Sequence, residues 1–469
     1  MEIKMIITSI THIIEGKLLT ETHITVNGWV KTKRTSKIGI IFISMNDGSC
    51  LENLQIIIKK NVYNNKNYIS KLTTGCSIKV KGLIKYSPTT KQKYEIHATN
   101  ITILGWVKDP SSYPISPKKH SMEYLRKIAH LRPRTNIIGA ITRIRHKIIY
   151  KIHKFLNNHG FYWIPTPIIT TTDTEGNGKM FRVSTLNKNH LLSSQNKKDF
   201  FKKDFFKKET FLTVSGQLNA ESYSCALSRI YAFGPTFRAE NSNTKKHLAE
   251  FWMLEPEIAF AKLNDIIKLA IDMLIYITKS LLDERDKDLF FFEKKKIKNK
   301  IKLNKLISSN FEQIDYKEAI KILKKSKINF KLPVHWGIDM STEHEKYLTE
   351  KYFKTPIIIT NYPKKIKPFY MRLNKDNKTV SSMDILMPGI GEIIGGSERE
   401  ERIKILDKRI KESKLNKKKY WWYRDLRIYG TIPHAGFGMG IERLISFITG
   451  VTNIKDIVPF PRTPKNANF

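Results

Sequence analysis

Alternating apolar and polar positions dominate roughly the first hundred residues of the chain. Strand-like runs cover 26–30, 40–45, 54–58, 77–86 and 94–104. Asn46-Asp47-Gly48 supplies residues that tolerate positive φ, which favours a hairpin between the second and third runs. About five short strands predict a small Greek-key barrel such as an OB-fold.

The alternation stops at a segment rich in proline and serine, Asp109 to Pro117. Proline disfavours helix in the residue before it, so extended backbone is expected there. We therefore predict a barrel domain over 1–105, a linker over 106–130 and a second domain over 131–469.

Beyond the linker the hydrophobic period becomes helical. An apolar stripe from Ile137 to Phe155 predicts a long amphipathic helix that stops near Gly160. The following segment, 161–169, contains two prolines, so an edge or interface strand is expected. Further helices are predicted over 264–282 and 441–449 and strands over 380–386 and 392–396, so the second domain is of the α+β class.

Composition narrows the class of protein. The chain has 469 residues, 41% of them hydrophobic, which excludes disorder as the main state. No run approaches the ~18 apolar residues of a membrane span, and no signal peptide is evident. The three cysteines, Cys50, Cys76 and Cys225, are too scattered for a metal site or a disulfide framework. A cytoplasmic protein without a membrane partner is expected.

The formal charge of +40 has two readings. A basic surface attracts polyanions such as nucleic acid. The lysines are also accompanied by abundant isoleucine and asparagine, as an AT-rich genome would impose whatever the function. The densest run, 294–305, predicts a surface helix that buries Ile297, Ile301 and Leu306, and it identifies no binding site.

Three polar features could carry chemistry. Gly436 to Arg443 is predicted as a glycine-rich turn that opens a helix and offers the Arg443 guanidinium to phosphate. Arg238 and Glu255 lie in two strand-like segments, 230–237 and 250–260, that flank a polar loop. Asp384 and Glu392 lie on neighbouring predicted strands and could hold Mg²⁺ against substrate phosphates.

Three segments that follow the barrel, taken in chain order, resemble the signature motifs of the class II aminoacyl-tRNA synthetases. Motif 1 would lie at about 150–170, motif 2 at about 230–257 and motif 3 at about 436–450. The chain resembles the asparaginyl branch of this class over essentially its whole length. The segments that carry this resemblance include HLAEFWMLEPE, PGIGEIIGGSERE and DIVPFPRTP. The resemblance implies a catalytic domain built on an antiparallel sheet flanked by helices, a homodimer, and ATP, Mg²⁺, L-asparagine and its cognate tRNA as ligands.

The resemblance also implies roles for single residues. Arg238 would hold the ATP α-phosphate and Arg443 the γ-phosphate, with Glu240 and His247 at the ATP site and Asp384 and Glu392 on Mg²⁺. Arg238, Arg443 and Glu392 would thus form the catalytic set. Ser215 and Gln217 match contacts to the amino-acid ammonium, Glu255 and Arg399 match contacts to the side-chain amide, and Arg34, Phe42 and Gln55 match contacts to the anticodon.

The implied reaction is ATP-dependent formation of asparaginyl-adenylate, followed by transfer to the 3′-terminal adenosine of the tRNA. An amide needs one acceptor and one donor, which Glu255 and Arg399 supply. The lysine that aspartyl enzymes use to bind a carboxylate is replaced by Ala220, which favours asparagine. The alternatives are an aspartyl-tRNA synthetase, a tRNA-independent paralogue and a catalytically inactive nucleic-acid-binding paralogue.

Two features leave room for other outcomes. Strand alternation could bury Phe42 inside the barrel rather than present it to a base. Lys246 stands where the family commonly has arginine, so a point charge replaces a two-pronged donor in the motif 2 loop, and slower turnover is expected.

Overall fold

The computed structural model describes residues 8–62, 69–90, 92–176, 179–186, 201–293 and 299–469. The chain divides into two compact units, residues 1–143 with Phe469 and residues 144–468. Each unit has the layout that its hydrophobic period predicts, a β-barrel in the first and an α+β arrangement in the second.

The first unit contains a closed five-stranded barrel in the order β1-β2-β3-β5-β4. Its strands are β1 (His23–Thr35), β2 (Ile41–Asn46), β3 (Leu54–Ile58), β4 (Ser77–Tyr86) and β5 (Tyr94–Gly105). Because successive side chains of a strand point to opposite faces, Ile41, Ile43 and Met45 enter the core while Phe42 stays partly exposed on the outside. The predicted barrel is confirmed.

The predicted hairpin at Asn46-Asp47-Gly48 is also confirmed, since β2 and β3 pair antiparallel. Gly48 has φ +86°, and the side chains of Asn46 and Asp47 accept from the backbone N–H groups of Gly48 and Ser49 at 2.7 and 2.9 Å. These side-chain hydrogen bonds satisfy backbone N–H groups of the turn that have no partner on a neighbouring strand.

In the described part of the second unit, an eight-stranded sheet runs β12-β13-β14-β15-β16-β11-β10-β6 and a small sheet runs β7-β9-β8. Pairing is antiparallel except at β12–β13 and β10–β6. The strands are β6 (Tyr162–Trp163), β7 (Ile169–Thr170), β8 (Arg182–Val183), β9 (Thr210–Leu212), β10 (Arg229–Phe237), β11 (Glu250–Ala259), β12 (Glu312–Asp315), β13 (Ile357–Thr360), β14 (Ser382–Met387), β15 (Gly391–Glu398) and β16 (His434–Gly440).

Most of the longer helices of the described residues bury one apolar face. Among them, none is long and apolar enough to cross a bilayer. Their bounds are α1 (Ile10–Ile14), α2 (Met122–Lys127), α3 (Asn136–Asn158), α4 (Gln217–Leu227), α5 (Leu263–Glu284), α6 (Asp286–Glu293), α7 (Asn299–Ser308), α8 (Tyr316–Lys325), α9 (Thr342–Lys346), α10 (Ile403–Glu412), α11 (Trp421–Ile428) and α12 (Ile441–Thr449).

The glycine-rich segment before Arg443 is a strand and not the predicted turn. Residues 434–440 form β16 between β15 and β11, and α12 begins at the next residue. A Cβ atom at Gly436 would lie 2.4 Å from Glu257 Cδ, and one at Gly438 would lie 2.9 Å from Met253 Cε. The glycines therefore leave room for side chains of β11. This packing requirement depends on a neighbouring strand, so it is not visible in the local sequence from which a turn is predicted.

Two further predictions need correction. The expected strand over 161–169 is reduced to β6 at the sheet edge and the first residue of β7, because prolines at 165 and 167 lack the ladder donor. In the lysine-rich helix, Leu306 is buried as predicted, but Ile301 is 68% exposed and Leu303 is buried in its place. Ile297 lies outside the described residues.

Candidate active site

The segment that joins β10 to β11 carries the first arginine of the site. Arg238 follows the last residue of β10, and its backbone N–H donates to the Ala249 carbonyl at 3.0 Å. Its guanidinium pairs with Glu175 and lies over the Phe251 ring, 5.4 Å from the centroid. Arg238 Nε is buried and has no hydrogen-bond partner within the described residues, so the guanidinium keeps a donor for a further ligand.

The second arginine comes from the first turn of α12. Arg443 Nη1 donates to the Glu392 carbonyl at 2.9 Å and lies 3.6 Å from Glu392 Oε2. Arg443 and Arg238 line one pocket of about 210 Å³. Of the other predicted site residues, Glu240, His247 and Glu392 line this pocket too, together with Lys246, Phe251 and Glu442.

The loop between the two strands is held by its own polar side chains. Thr244 Oγ1 lies 2.5 Å from His247 Nδ1, and His247 Nε2 lies 3.9 Å from Glu240 Oε2. Lys246 Nζ donates to the Ile390 carbonyl at 2.8 Å. Burial lowers the pKa of Lys246, and the charge of Arg443 adds to that effect. The loop is therefore connected to the β14–β15 turn through Lys246.

Two carboxylates converge over Gly395 on the strands beside this pocket. A Cβ atom at Gly395 would lie 3.0 Å from Glu392 Oε1 and 3.3 Å from Asp384 Oδ1. Lys367 Nζ donates to both oxygens of Asp384, at 2.9 and 2.6 Å. Burial raises the pKa of Asp384 in spite of Lys367.

The environment of Glu392 favours its ionised form. Burial opposes ionisation, yet the charges of Arg443 and Lys367 hold the pKa of Glu392 below its usual value. The described residues contain no group of three or more His, Cys, Asp or Glu side chains that could hold a metal by themselves. Mg²⁺ commonly takes one or two carboxylates and completes its shell with water and phosphate, so Asp384 and Glu392 fit that ion.

The residues predicted to bind the amino acid lie together at the start of α4. Ser215 Oγ donates to Glu255 Oε1, and the Gly216 N–H donates to Glu255 Oε2 at 2.9 Å. Burial raises the pKa of Glu255, while these hydrogen bonds and the charges of Arg399 and Arg238 lower it. Gln217 Nε2 donates to Glu221 Oε1 at 3.0 Å.

Arg399 is brought near Glu255 but pairs with a different glutamate. Its Nε and Nη2 donate to the two oxygens of Glu257 at 3.1 and 2.5 Å, and its Nη1 donates to Ser397 Oγ at 2.8 Å. Both Arg399 and Glu257 are buried. A guanidinium carries five N–H donors, so two remain for a ligand.

The residues predicted to contact the anticodon share the outer face of the barrel. Arg34 and Phe42 are register partners on β1 and β2, and the guanidinium lies 4.6 Å from the Phe42 ring centroid. Gln55 on β3 pairs with Ser44 and donates to Glu95 Oε2 at 3.4 Å. Phe42 and Gln55 are both partly exposed, so the alternative that Phe42 fills the barrel core is wrong.

Four charged residues of the site are not predicted from the sequence. Glu175 pairs with Arg238, Lys367 with Asp384, Glu257 with Arg399, and Glu221 with Gln217. For Glu257 a sequence signal exists, because it alternates with Glu255 on a strand that, apart from Glu250 at its start, is otherwise apolar. The others lie outside the three motifs, and only the fold brings them to the site.

Comparison with known proteins agrees with this geometry. The family described as "tRNA synthetases class II (D, K and N)" matches residues 121–464, and the family described as "OB-fold nucleic acid binding domain" matches residues 24–104. The chain therefore belongs to the class II tRNA synthetases.

Relatives over the full length narrow the class. The asparagine–tRNA ligase of Histophilus somni is 59% identical over 99% of both chains, and that of Haemophilus influenzae is 57% identical over the same share. The crystal structure of asparaginyl-tRNA synthetase from Pyrococcus horikoshii, complexed with asparaginyl-adenylate, matches with a TM-score of 0.86 and 31% identity over 98% of this chain and 99% of that one. Within its class, the chain belongs to the asparagine–tRNA ligases.

Proposed function

We propose that the pocket between the β10–β11 loop and α12 forms asparaginyl-adenylate from asparagine and ATP, and that the asparaginyl group then passes to the terminal adenosine of its tRNA. The observation that carries this proposal is that Arg238 and Arg443, from segments far apart in sequence, line one pocket with Glu392. Two guanidinium groups facing one space suit a ligand with several phosphates.

Within this pocket, Arg238 contacts the α-phosphate and Arg443 the γ-phosphate, while Glu240 and His247 contact the rest of ATP. The asparagine carboxylate attacks the α-phosphorus, and pyrophosphate carries the electron pair away. A carboxylate is already a nucleophile, so no general base is required. Rate then comes from positioning the reactants and from neutralising charge on the phosphates.

Asp384 and Glu392 would hold Mg²⁺, which supplies positive charge to the pyrophosphate oxygens when it is bound. The lysine beside them has a separate task. Lys367 offsets part of the charge of Asp384 within a buried environment, and its two hydrogen bonds fix the orientation of the carboxylate.

The amide of asparagine is recognised by Glu255 and Arg399, and its ammonium group by Ser215 and Gln217. Each oxygen of Glu255 already accepts one hydrogen bond and has a lone pair left for the substrate NH₂ group. Arg399 has two N–H donors left for the amide oxygen. An aspartate would place a second carboxylate against Glu255, and Ala220 offers it no charge.

The barrel binds the anticodon through Arg34, Phe42 and Gln55. Their common outer face, with a ring that a splayed base can stack on, supports this role. We propose that the anticodon-binding domain covers residues 1–105, the linker 106–130 and the catalytic domain 131–469. We also propose a cytoplasmic location.

A homodimer through motif 1 completes the proposal. Four apolar residues in motif 1 are unusually exposed: Tyr162 at 61%, Trp163 at 52%, Ile168 at 42% and Ile169 at 40%. Large apolar residues grouped in this way mark an interaction surface.

The test is ATP–pyrophosphate exchange in the presence of Mg²⁺, with asparagine or aspartate as the amino acid. Exchange with asparagine alone is expected. Exchange with aspartate would contradict the assignment of Glu255 and Arg399, and no exchange with either would contradict the proposed reaction and favour an inactive nucleic-acid-binding protein.

A further inference from the structure

A buried cluster of polar side chains lies directly behind Gln217. Its centre is Glu221 on α4, whose carboxylate is contacted by side chains of α4, α11 and β16. Gln217 Nε2 donates at 3.0 Å, Tyr423 Oη at 2.8 Å and Arg427 Nη2 at 2.7 Å, and His434 Nε2 lies 2.8 Å from the same carboxylate. All five side chains are 6% exposed or less.

The carboxylate decides which way the Gln217 amide points. An ionised carboxylate can only accept, so it selects the NH₂ end of the amide and turns the oxygen end away. Within the described residues, no donor contacts Gln217 Oε1. That oxygen is the only end of the amide that can accept a hydrogen bond from an ammonium group, because ammonium has donors alone.

The other members of the cluster keep Glu221 ionised and immobile. A buried carboxylate is costly unless it is paired and hydrogen-bonded. Burial opposes ionisation of Glu221, but the charge of Arg427 and the hydrogen bond with His434 hold its pKa well below its usual value. The Arg427 Nε group also donates to the Glu400 carbonyl at 2.9 Å, which ties the cluster to the segment that follows Arg399.

We infer that Glu221 is a positioning residue for amino-acid recognition: by holding Gln217 Nε2, it presents Gln217 Oε1 to the ammonium group of asparagine. This inference rests on the proposed function, in which Gln217 contacts that ammonium group. It assigns Glu221 no contact with the substrate and no part in the ATP site.

If Glu221 orients Gln217 for the ammonium group, a change at Glu221 should affect the binding of asparagine but not of an analogue that lacks this group. Succinamate has the same amide and carboxylate as asparagine but no amino group. Loss of the Gln217 orientation should therefore weaken asparagine and leave succinamate almost unaffected, whereas a general collapse of the pocket should weaken both.

The experiment measures the KM for asparagine and the inhibition constant for succinamate in the exchange reaction. In Glu221→Gln, an amide can turn its own NH₂ group to Gln217, so the selection of one orientation is lost. We expect the KM for asparagine to rise about ten-fold, the loss of one hydrogen bond to a charged group. The inhibition constant for succinamate and the KM for ATP should stay within about two-fold.

Glu400→Gln is the matched control, since Glu400 is also a buried glutamate paired with an arginine, at 2.6 Å from Arg402 Nε, and does not contact Gln217. It should leave the KM for asparagine within about two-fold. If Glu221→Gln does not fold, Glu221→Asp keeps the charge but withdraws it from Gln217, and the same selective loss is expected at about three-fold.

An unchanged KM for asparagine in a folded Glu221 variant, or equal losses for asparagine and succinamate, would overturn the inference. Neither result would touch the proposed function, which the wild-type exchange with asparagine tests separately.

Discussion

The barrel face and the pocket of the central sheet hold their polar side chains in different ways. On the barrel, Arg34 and Phe42 face outward from neighbouring strands with few partners, and Arg34 is exposed while Phe42 is partly exposed. On the central sheet, charges are paired in buried ion pairs such as Arg399–Glu257, whose members lie 142 residues apart. The exposed arrangement on the barrel suits a ligand that binds in a conformation of its own. The buried ion pairs suit a ligand that must be oriented in order to react.

This difference predicts that changes in the two regions will have separable effects. A change to the pocket should affect adenylate formation, whereas a change to the barrel face should affect only the step that involves tRNA. The following variants test that separation, starting with the largest expected effect.

Arg443→Ala should cause the largest loss. Removal of one donor to charge that develops in the transition state costs about 2–4 kcal/mol, so kcat for exchange should fall by roughly 10²–10³-fold. Arg443→Lys keeps the positive charge but loses the two-pronged guanidinium donor, so its kcat for exchange should lie between those of the wild type and Arg443→Ala. Unchanged exchange in Arg443→Ala would remove this residue from the site.

Glu175→Gln should have the next largest effect. It removes the ion pair that orients Arg238, and we expect kcat/KM for exchange to fall about ten-fold, or roughly 1.4 kcal/mol. Glu209→Gln breaks an exposed pair with Arg182 and serves as the control, with no expected change in exchange. Equal activity of both variants would contradict the role of Glu175.

Gln55→Ala tests the barrel face. Loss of one hydrogen bond to a base is worth about 1 kcal/mol, so tRNA charging should fall about five-fold while exchange stays unchanged. Asn100→Ala, an exposed amide on β5 of the same barrel, should leave both assays unchanged. A proportional loss in both assays of Gln55→Ala would indicate misfolding.

Lys246→Ala should have the smallest effect. It removes the bond to the Ile390 carbonyl, and the KM for ATP should rise about two- to five-fold, or roughly 0.5–1 kcal/mol. Lys245→Ala changes the neighbouring exposed charge and should not alter this constant. If both variants behave alike, net charge and not the contact of Lys246 controls ATP binding.

The sequence predicts the parts of the fold that depend on local periodicity. The barrel strands, the β10–β11 hairpin and helix α12 agree with the hydrophobic pattern. Strand β16 does not, because its glycines carry no side chain to reveal alternation. Their purpose is to leave room for Glu257, which is evident only when β11 lies beside them.

In the candidate site, too, only those residues that local sequence motifs identify could be predicted. Residues within the motifs, such as Arg238 and Arg443, are identified by resemblance, and the fold brings them to one pocket. Their partners are not identified in this way. Glu175 lies 63 residues before Arg238, and the spacing of two charges in sequence does not predict that they will pair. The same is true of Glu221, whose arginine partner lies 206 residues away.

The separation of pocket chemistry from anticodon contact is tested most directly by measuring exchange and tRNA charging side by side in one variant that combines Arg34→Ala, Phe42→Leu and Gln55→Ala. We expect exchange within about two-fold of the wild-type rate and charging reduced about a hundred-fold or more, since stacking alone is worth about 1–3 kcal/mol. Equal loss of both activities, or full charging, would contradict it.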